Sequence, residues 1–144
     1  MVDLYTYTTA KAAKNKFVGY SYVLSCEVNE KKVTLTKEGT LENVGKNEAE
    51  ILTAIKAIQR VKEGNPITLY TQSSYLAAVI NDWLDGWIKR GTTSKGEPLQ
   101  PYILELADLL VKRPTQAIVT EHEYLNWQKR EAENMITSND KRSP

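Results

Sequence analysis

The chain carries one cysteine and one histidine in 144 residues. Cys26 on its own cannot close an internal disulfide, and with no further cysteines or histidines beside it there is no zinc-ligand spacing. It reads as a small buried hydrophobe. An excess of charge of one sign is lacking too: 19 Lys and Arg against 18 Asp and Glu leave a net charge of +1. Bulk electrostatics therefore do not mark a nucleic-acid binder, and any such site must be local. No apolar run is long enough to span a bilayer, and Met1-Val2-Asp3 does not open a signal peptide. We expect no membrane association and a cytoplasmic protein, cytosolic or intravirion. Internal repeats and low-complexity tracts are absent as well.

What remains is an ordinary globular composition, 41% hydrophobic and 26% charged. The length suits one domain that buries roughly two thirds of its unfolded surface. We place that domain at residues 1–137 and expect a disordered tail over 138–144, which is polar and charged with no apolar anchor.

Val2 to Thr9, Phe17 to Glu27 and Lys32 to Thr40 are rich in β-branched and aromatic residues, and turn-prone Asn29-Glu30 separates the second run from the third. This predicts a three-stranded antiparallel meander. From Lys46 the period changes: Ile51, Leu52, Ile55, Ile58 and Val61 recur at helical spacing until Gly64-Asn65-Pro66. Ile67 to Thr71 reads as a short strand, followed by a helical stretch through Leu76, Val79, Ile80, Trp83, Trp87 and Ile88 that ends at Gly91, with a bend expected near Gly86. After a loop over Gly91 to Pro101 come an apolar helix from Tyr102 to Val111, a strand from Gln116 to Thr120 and a last helix from Asn126 to Ile136. The order βββαβααβα predicts an α/β protein with a mixed five-stranded sheet, its two later strands parallel to the first through helical crossovers.

Three segments stand out within that frame: Tyr5-Thr6-Tyr7-Thr8-Thr9, Asn47-Glu48-Ala49-Glu50-Ile51 and Leu69-Tyr70-Thr71-Gln72-Ser73. In order, spacing and local sequence they resemble the acidic motifs of the bacterial-type ribonuclease H family. Trp83-Leu84-Asp85-Gly86-Trp87-Ile88-Lys89-Arg90-Gly91 is similar to the family's paired-tryptophan helix, which leads into a basic protrusion that grips DNA. The resemblance covers about residues 2 to 136 and implies a ribonuclease H-like fold. It also implies an activity, cleavage of the RNA strand of an RNA–DNA hybrid, in which four carboxylates hold two magnesium ions roughly 3.5–4 Å apart.

Matching the motifs places Tyr7 at the first aspartate, Glu50 at the glutamate, Gln72 at the second aspartate and Glu133 at the final acid, with Glu131 the alternative for that last position. Two of these four catalytic positions are not acidic. The first aspartate bridges both metals in the family, whereas a phenol with an ordinary pKa near 10 stays neutral. Gln72 offers a carbonyl without charge. Going from about four negative charges to about two should abolish tight magnesium binding, so we expect no cofactor; Glu50 and Glu133 are the ligands if any remain. Magnesium or manganese enters only if Glu121 or Glu123 rebuilds the site. His122 matches the family's mobile histidine after the fifth strand, although glutamates and Tyr124 replace the glycines around it. Apart from that likeness, it reads as an ordinary surface histidine.

For nucleic acid, the resemblance carries Asn47, Thr71 and Ser73 to the hybrid-contacting surface, and Trp83, Trp87, Lys89 and Arg90 to the protrusion. Lys11, Lys14 and Lys16 replace a glycine-rich turn and either contact phosphate or are three solvated lysines. Lys89, Arg90 and Lys95 stand against Asp82, Asp85 and Glu97, so few phosphate contacts are expected. Three functions fit this sequence. The first is a catalytically degenerate domain, a pseudoenzyme that holds an RNA–DNA hybrid or duplex. The second is an active hybrid ribonuclease with a rebuilt site. The third is a scaffold whose tyrosine-rich surface meets a protein partner.

Overall fold

The computed structural model describes residues 1–142. Strand β1 (Val2–Thr8) lies at the centre of a five-stranded sheet ordered β3-β2-β1-β4-β5. It pairs antiparallel with β2 (Asn15–Val28) and parallel with β4 (Ile67–Thr71), which in turn runs parallel to β5 (Thr115–Val119). β3 (Lys31–Val44) closes the meander through a two-residue turn in which Asn29 and Glu30 both take positive φ, 53° and 67°. That conformation follows the right-handed twist of the flanking strands, and asparagine tolerates it better than most residues. The ribonuclease H-like architecture expected from the sequence is therefore present.

Helix α1 (Lys46–Ile58) buries Ile51, Ala54, Ile55 and Ile58 against the sheet, where they join Leu4, Leu69, Leu76 and Leu106 in one core. α2 (Ser74–Ala78), a π-helical stretch (Val79–Trp83) and α3 (Leu84–Arg90) form one helical run that stops at Gly91, φ 76°. Its irregularity thus falls at Val79–Trp83 and not near Gly86, which lies inside α3. Within that π-helical stretch the Asn81 side chain bonds both backbone groups of Ala117, accepting from its N–H at 2.9 Å and donating to its C=O at 2.8 Å. α4 (Pro101–Lys112) begins on Pro101, whose fixed φ suits a first helical turn.

α5 (Leu125–Arg142) packs on the opposite face of the sheet, against β1, β2 and β3. Two features dock it. Buried Gln128 donates from Nε2 to the carbonyls of Tyr5, at 3.0 Å, and Ser21, at 3.2 Å. One turn later, Ala132 lies so close to Gly19 that a Cβ on that glycine would overlap the Ala132 carbonyl oxygen. The helix outruns its expected end at Ile136 and enters the stretch 138–144 taken from sequence as a disordered tail; residues 143 and 144 lie outside the described residues. Among the described residues no helix is long and apolar enough to cross a membrane.

A candidate nucleic-acid cleft

β1 and β4 run parallel with Leu4 beside Leu69 and Tyr5 beside Tyr70. Carrying that register two residues further brings Tyr7 level with Gln72, with both side chains on the same face. From the other side α1 contributes Glu50. Tyr7, Glu50 and Gln72 accordingly line one cavity of about 130 Å³, together with Thr6, Thr8 and Lys46.

Glu50 is buried at 6% exposure, and its Oε1 accepts from the Thr8 hydroxyl at 2.8 Å. Burial raises its pKa above the ordinary carboxyl value, and the Thr8 bond and Lys46 only partly offset that rise. The folded state therefore favours the protonated carboxyl. This group favours folding most strongly below its unfolded value near 4.5, and the advantage is lost as pH rises through the higher folded value. At neutral pH the buried carboxylate opposes folding. Glu50→Gln should then raise the melting temperature at pH 7. In thermal melts at stepped pH the gain should vanish as pH falls toward 4.5.

The Tyr7 phenol is pushed up by burial first, then by Glu133 and Glu50, so it stays protonated. Glu133 is thus the acid of α5 that acts on Tyr7, whereas Glu131 acts on Glu38 of β3. Glu133 itself is exposed and does not line the cavity. Gln72 is exposed, and its amide donates to the Thr120 carbonyl at 2.5 Å, tying the end of β4 to that of β5.

After β5 the chain brings His122 onto the middle of β1, where the imidazole packs 4.8 Å from the Tyr5 ring in a group with Tyr70 and Tyr124. Its Nδ1 accepts from the Tyr124 N–H at 3.2 Å, and burial lowers its pKa. Glu123 pairs with Lys32 at 3.2 Å beside the β2–β3 turn. Neither His122, Glu121 nor Glu123 lines the cavity. The bulky Tyr124 packs on Tyr5 where the family's glycines would leave the loop free.

A larger groove of about 540 Å³ opens beside this cavity, lined by Asn47, Tyr75, Trp83 and Trp87 together with Lys95 and Glu97. Trp87 is buried and donates from Nε1 to the Ser94 hydroxyl at 3.1 Å, fixing the loop that follows α3. On it stacks Trp83, 41% exposed, with ring centroids 5.9 Å apart. Trp87 is thus the anchor and Trp83 the presented face. Lys89 points outward in a 3.2 Å pair with Asp85, and Arg90 is exposed beside it.

Thr71 and Ser73 are buried: the Thr71 hydroxyl accepts from the Ser73 N–H, and the Ser73 hydroxyl accepts from the Leu76 N–H as the cap of α2. Ser73 also lines the cavity, whereas Thr71 does not. Lys11 and Lys14 are exposed on the β1–β2 turn and Lys16 at the start of β2, and the turn's shape is held by Asn15 bonding to Lys11, Ala13 and Val44. Sequence reasoning missed Lys46 and Thr8. The signals were available, since Lys46 precedes Glu50 by four residues on one helix face and Thr8 alternates with Thr6 along β1.

The family model for ribonuclease H matches residues 2–139. The chain belongs to the ribonuclease H family. Ribonuclease H of Hahella chejuensis is 34% identical over 96 residues, 65% of this chain and 62% of that protein. Ribonuclease HI of Xylella fastidiosa (strain Temecula1) is 34% identical over 83 residues, 57% of this chain and 53% of that protein. The matches thus span less than two thirds of those relatives. Among solved structures, the foamy viral protease-reverse transcriptase in complex with RNA/DNA hybrid superposes on 93% of this chain and 20% of that one, with TM-score 0.73 and 20% identity. LC11-RNase H1 in complex with RNA/DNA hybrid superposes on 96% of this chain and 99% of that one, with TM-score 0.68 and 13% identity. At those identities the likeness is one of fold.

The metal pair that this ribonuclease H family implies can be tested against the donors present. Among the described residues no three carboxylate, histidine or thiol groups converge. The cavity lining offers one carboxylate, Glu50, already bonded to Thr8, a protonated phenol and an amide whose nitrogen is committed to Thr120. Hard divalent cations are held by anionic oxygens, and this set does not fit two of them.

Proposed function

We propose that this ribonuclease H chain binds nucleic acid, an RNA–DNA hybrid or duplex, without cleaving it efficiently. The observation that carries the reading is Tyr7 and Gln72 at the ends of β1 and β4, in the same cavity as Glu50, where the family places aspartates. Support for the ligand class comes from the paired tryptophans beside that cavity and from similarity of fold to ribonuclease H domains solved with RNA/DNA hybrid. Removing carboxylates from a cleft that faces phosphates also reduces repulsion of the backbone.

A second reading keeps the activity. The relatives are named ribonucleases, and Glu50 and Glu133 are retained, so an active form would be a metal-dependent endoribonuclease on hybrids. Gel shift and cleavage on a hybrid, with single- and double-stranded controls, separate the two. Binding without magnesium- or manganese-dependent cleavage supports the first. No binding of any nucleic acid at low salt would favour a protein-scaffold role.

Phosphate contacts give a further expected result. Replacing Lys89 and Arg90 together by alanine should lower affinity for all duplex sequences alike and flatten the slope of log affinity against log salt by about one per lost contact. Titrations at several salt concentrations check this. Because Asp85 already engages Lys89, Arg90 should account for the larger share.

A further inference from the structure

The cavity beneath Tyr7 contains a cation that the family's acidic pattern does not include. Lys46 opens α1 one turn before Glu50 and lines the cavity with Tyr7 and Gln72. Among the described residues no salt bridge engages it. Lys46 and Glu50 are the charged groups of the lining, one positive and one negative, so its formal charge is zero. A four-carboxylate site approaches neutrality only with its divalent ions bound. Here an ammonium attached to the chain performs that balance.

The cavity volume, about 130 Å³, holds several waters and therefore one tetrahedral phosphate group. Tyr7 favours the same occupant. Burial, Glu133 and Glu50 all keep its phenol protonated, so its O–H can donate to a phosphate oxygen where an aspartate would repel it.

We propose that this cavity takes a backbone phosphate of nucleic acid directly, the Lys46 ammonium standing where the family places divalent metal, with the Tyr7 hydroxyl completing the contacts. The inference rests on the nucleic-acid-binding reading above and adds the point of contact and its independence of metal.

The test is fluorescence anisotropy of a labelled RNA–DNA hybrid at low salt, in EDTA and then in magnesium. The expected affinities agree within about twofold. Lys46→Gln should weaken binding about tenfold and flatten the salt slope by about one, Lys46→Arg should retain most of the affinity, and exposed Lys62→Gln at the opposite end of the sheet should change nothing. Tyr7→Phe should keep the fold yet bind about fivefold more weakly, because a role in packing alone predicts no loss of binding. Binding that requires magnesium overturns the proposal, as does a Lys46→Gln protein that binds like the unmodified one. In the latter case, if Lys89→Ala with Arg90→Ala still weakens binding, the nucleic-acid reading stands and only this contact falls. Absence of all nucleic-acid binding removes both.

Discussion

Changing Tyr7 and Gln72 together to aspartate should give the protein divalent-metal binding first and hybrid cleavage second. The substitution places two carboxylates beside Glu50 at the ends of adjacent parallel strands, with Glu133 acting on the first of them from α5. It also removes a half-buried phenol and the Gln72 bond to Thr120, so some stability will be lost. Metal binding, read by calorimetry with magnesium and manganese, should go from undetectable to measurable at millimolar ion. Hybrid cleavage should then rise by at least about 100-fold, since each 1.36 kcal/mol off the barrier is tenfold and metal stabilisation supplies several. Each single substitution should give much less, because a metal pair needs ligands on both strands. Restored metal binding with unchanged turnover would place the remaining defect in Glu133 or the histidine loop.

Gly19→Ala should be among the most damaging single substitutions in the chain. Its Cβ meets the backbone of Ala132, which cannot rotate away as a flexible side chain could, so α5 must lift from β2. The expected loss is about 3 kcal/mol or more, at the upper end of what overpacking costs, because the contact is with rigid backbone. Urea denaturation checks the size. Gly45→Ala is the matched control: nothing lies within 4 Å of the added carbon and φ is −78°, so its effect should stay within about 0.5 kcal/mol.

Much of this architecture was legible because it is written locally. The Asn29-Glu30 turn, the change from alternating to helical period at Lys46 and the stop at Gly91 each follow from residue chemistry within a few positions. The π-helical stretch was not legible, because its Asn81 bonds Ala117, a partner 36 residues away that no periodicity can announce. The far end of α5 escaped for a different reason: only Leu125, Gln128 and Ala132 are buried along its first turns, and so sparse a face gives a weak apolar signal. At the site, motif order brought Tyr7, Glu50 and Gln72 together correctly. The bond from the Ser73 N–H to Thr71 was not legible because a hydroxyl that suits a ligand equally suits a backbone partner, and the likeness of His122 to the family said nothing of the Tyr5 ring it packs on.

The central claim is that the altered carboxylate set leaves a hybrid-binding protein that does not cut. The direct measurement is a single-turnover assay with labelled RNA–DNA hybrid under saturating protein, with magnesium and with manganese, scored for both bound and cleaved strand. The account predicts bound hybrid whose RNA strand stays intact at the rate seen in protein-free buffer. Rapid metal-dependent cleavage by the unmodified protein, abolished by Glu50→Gln, would contradict it.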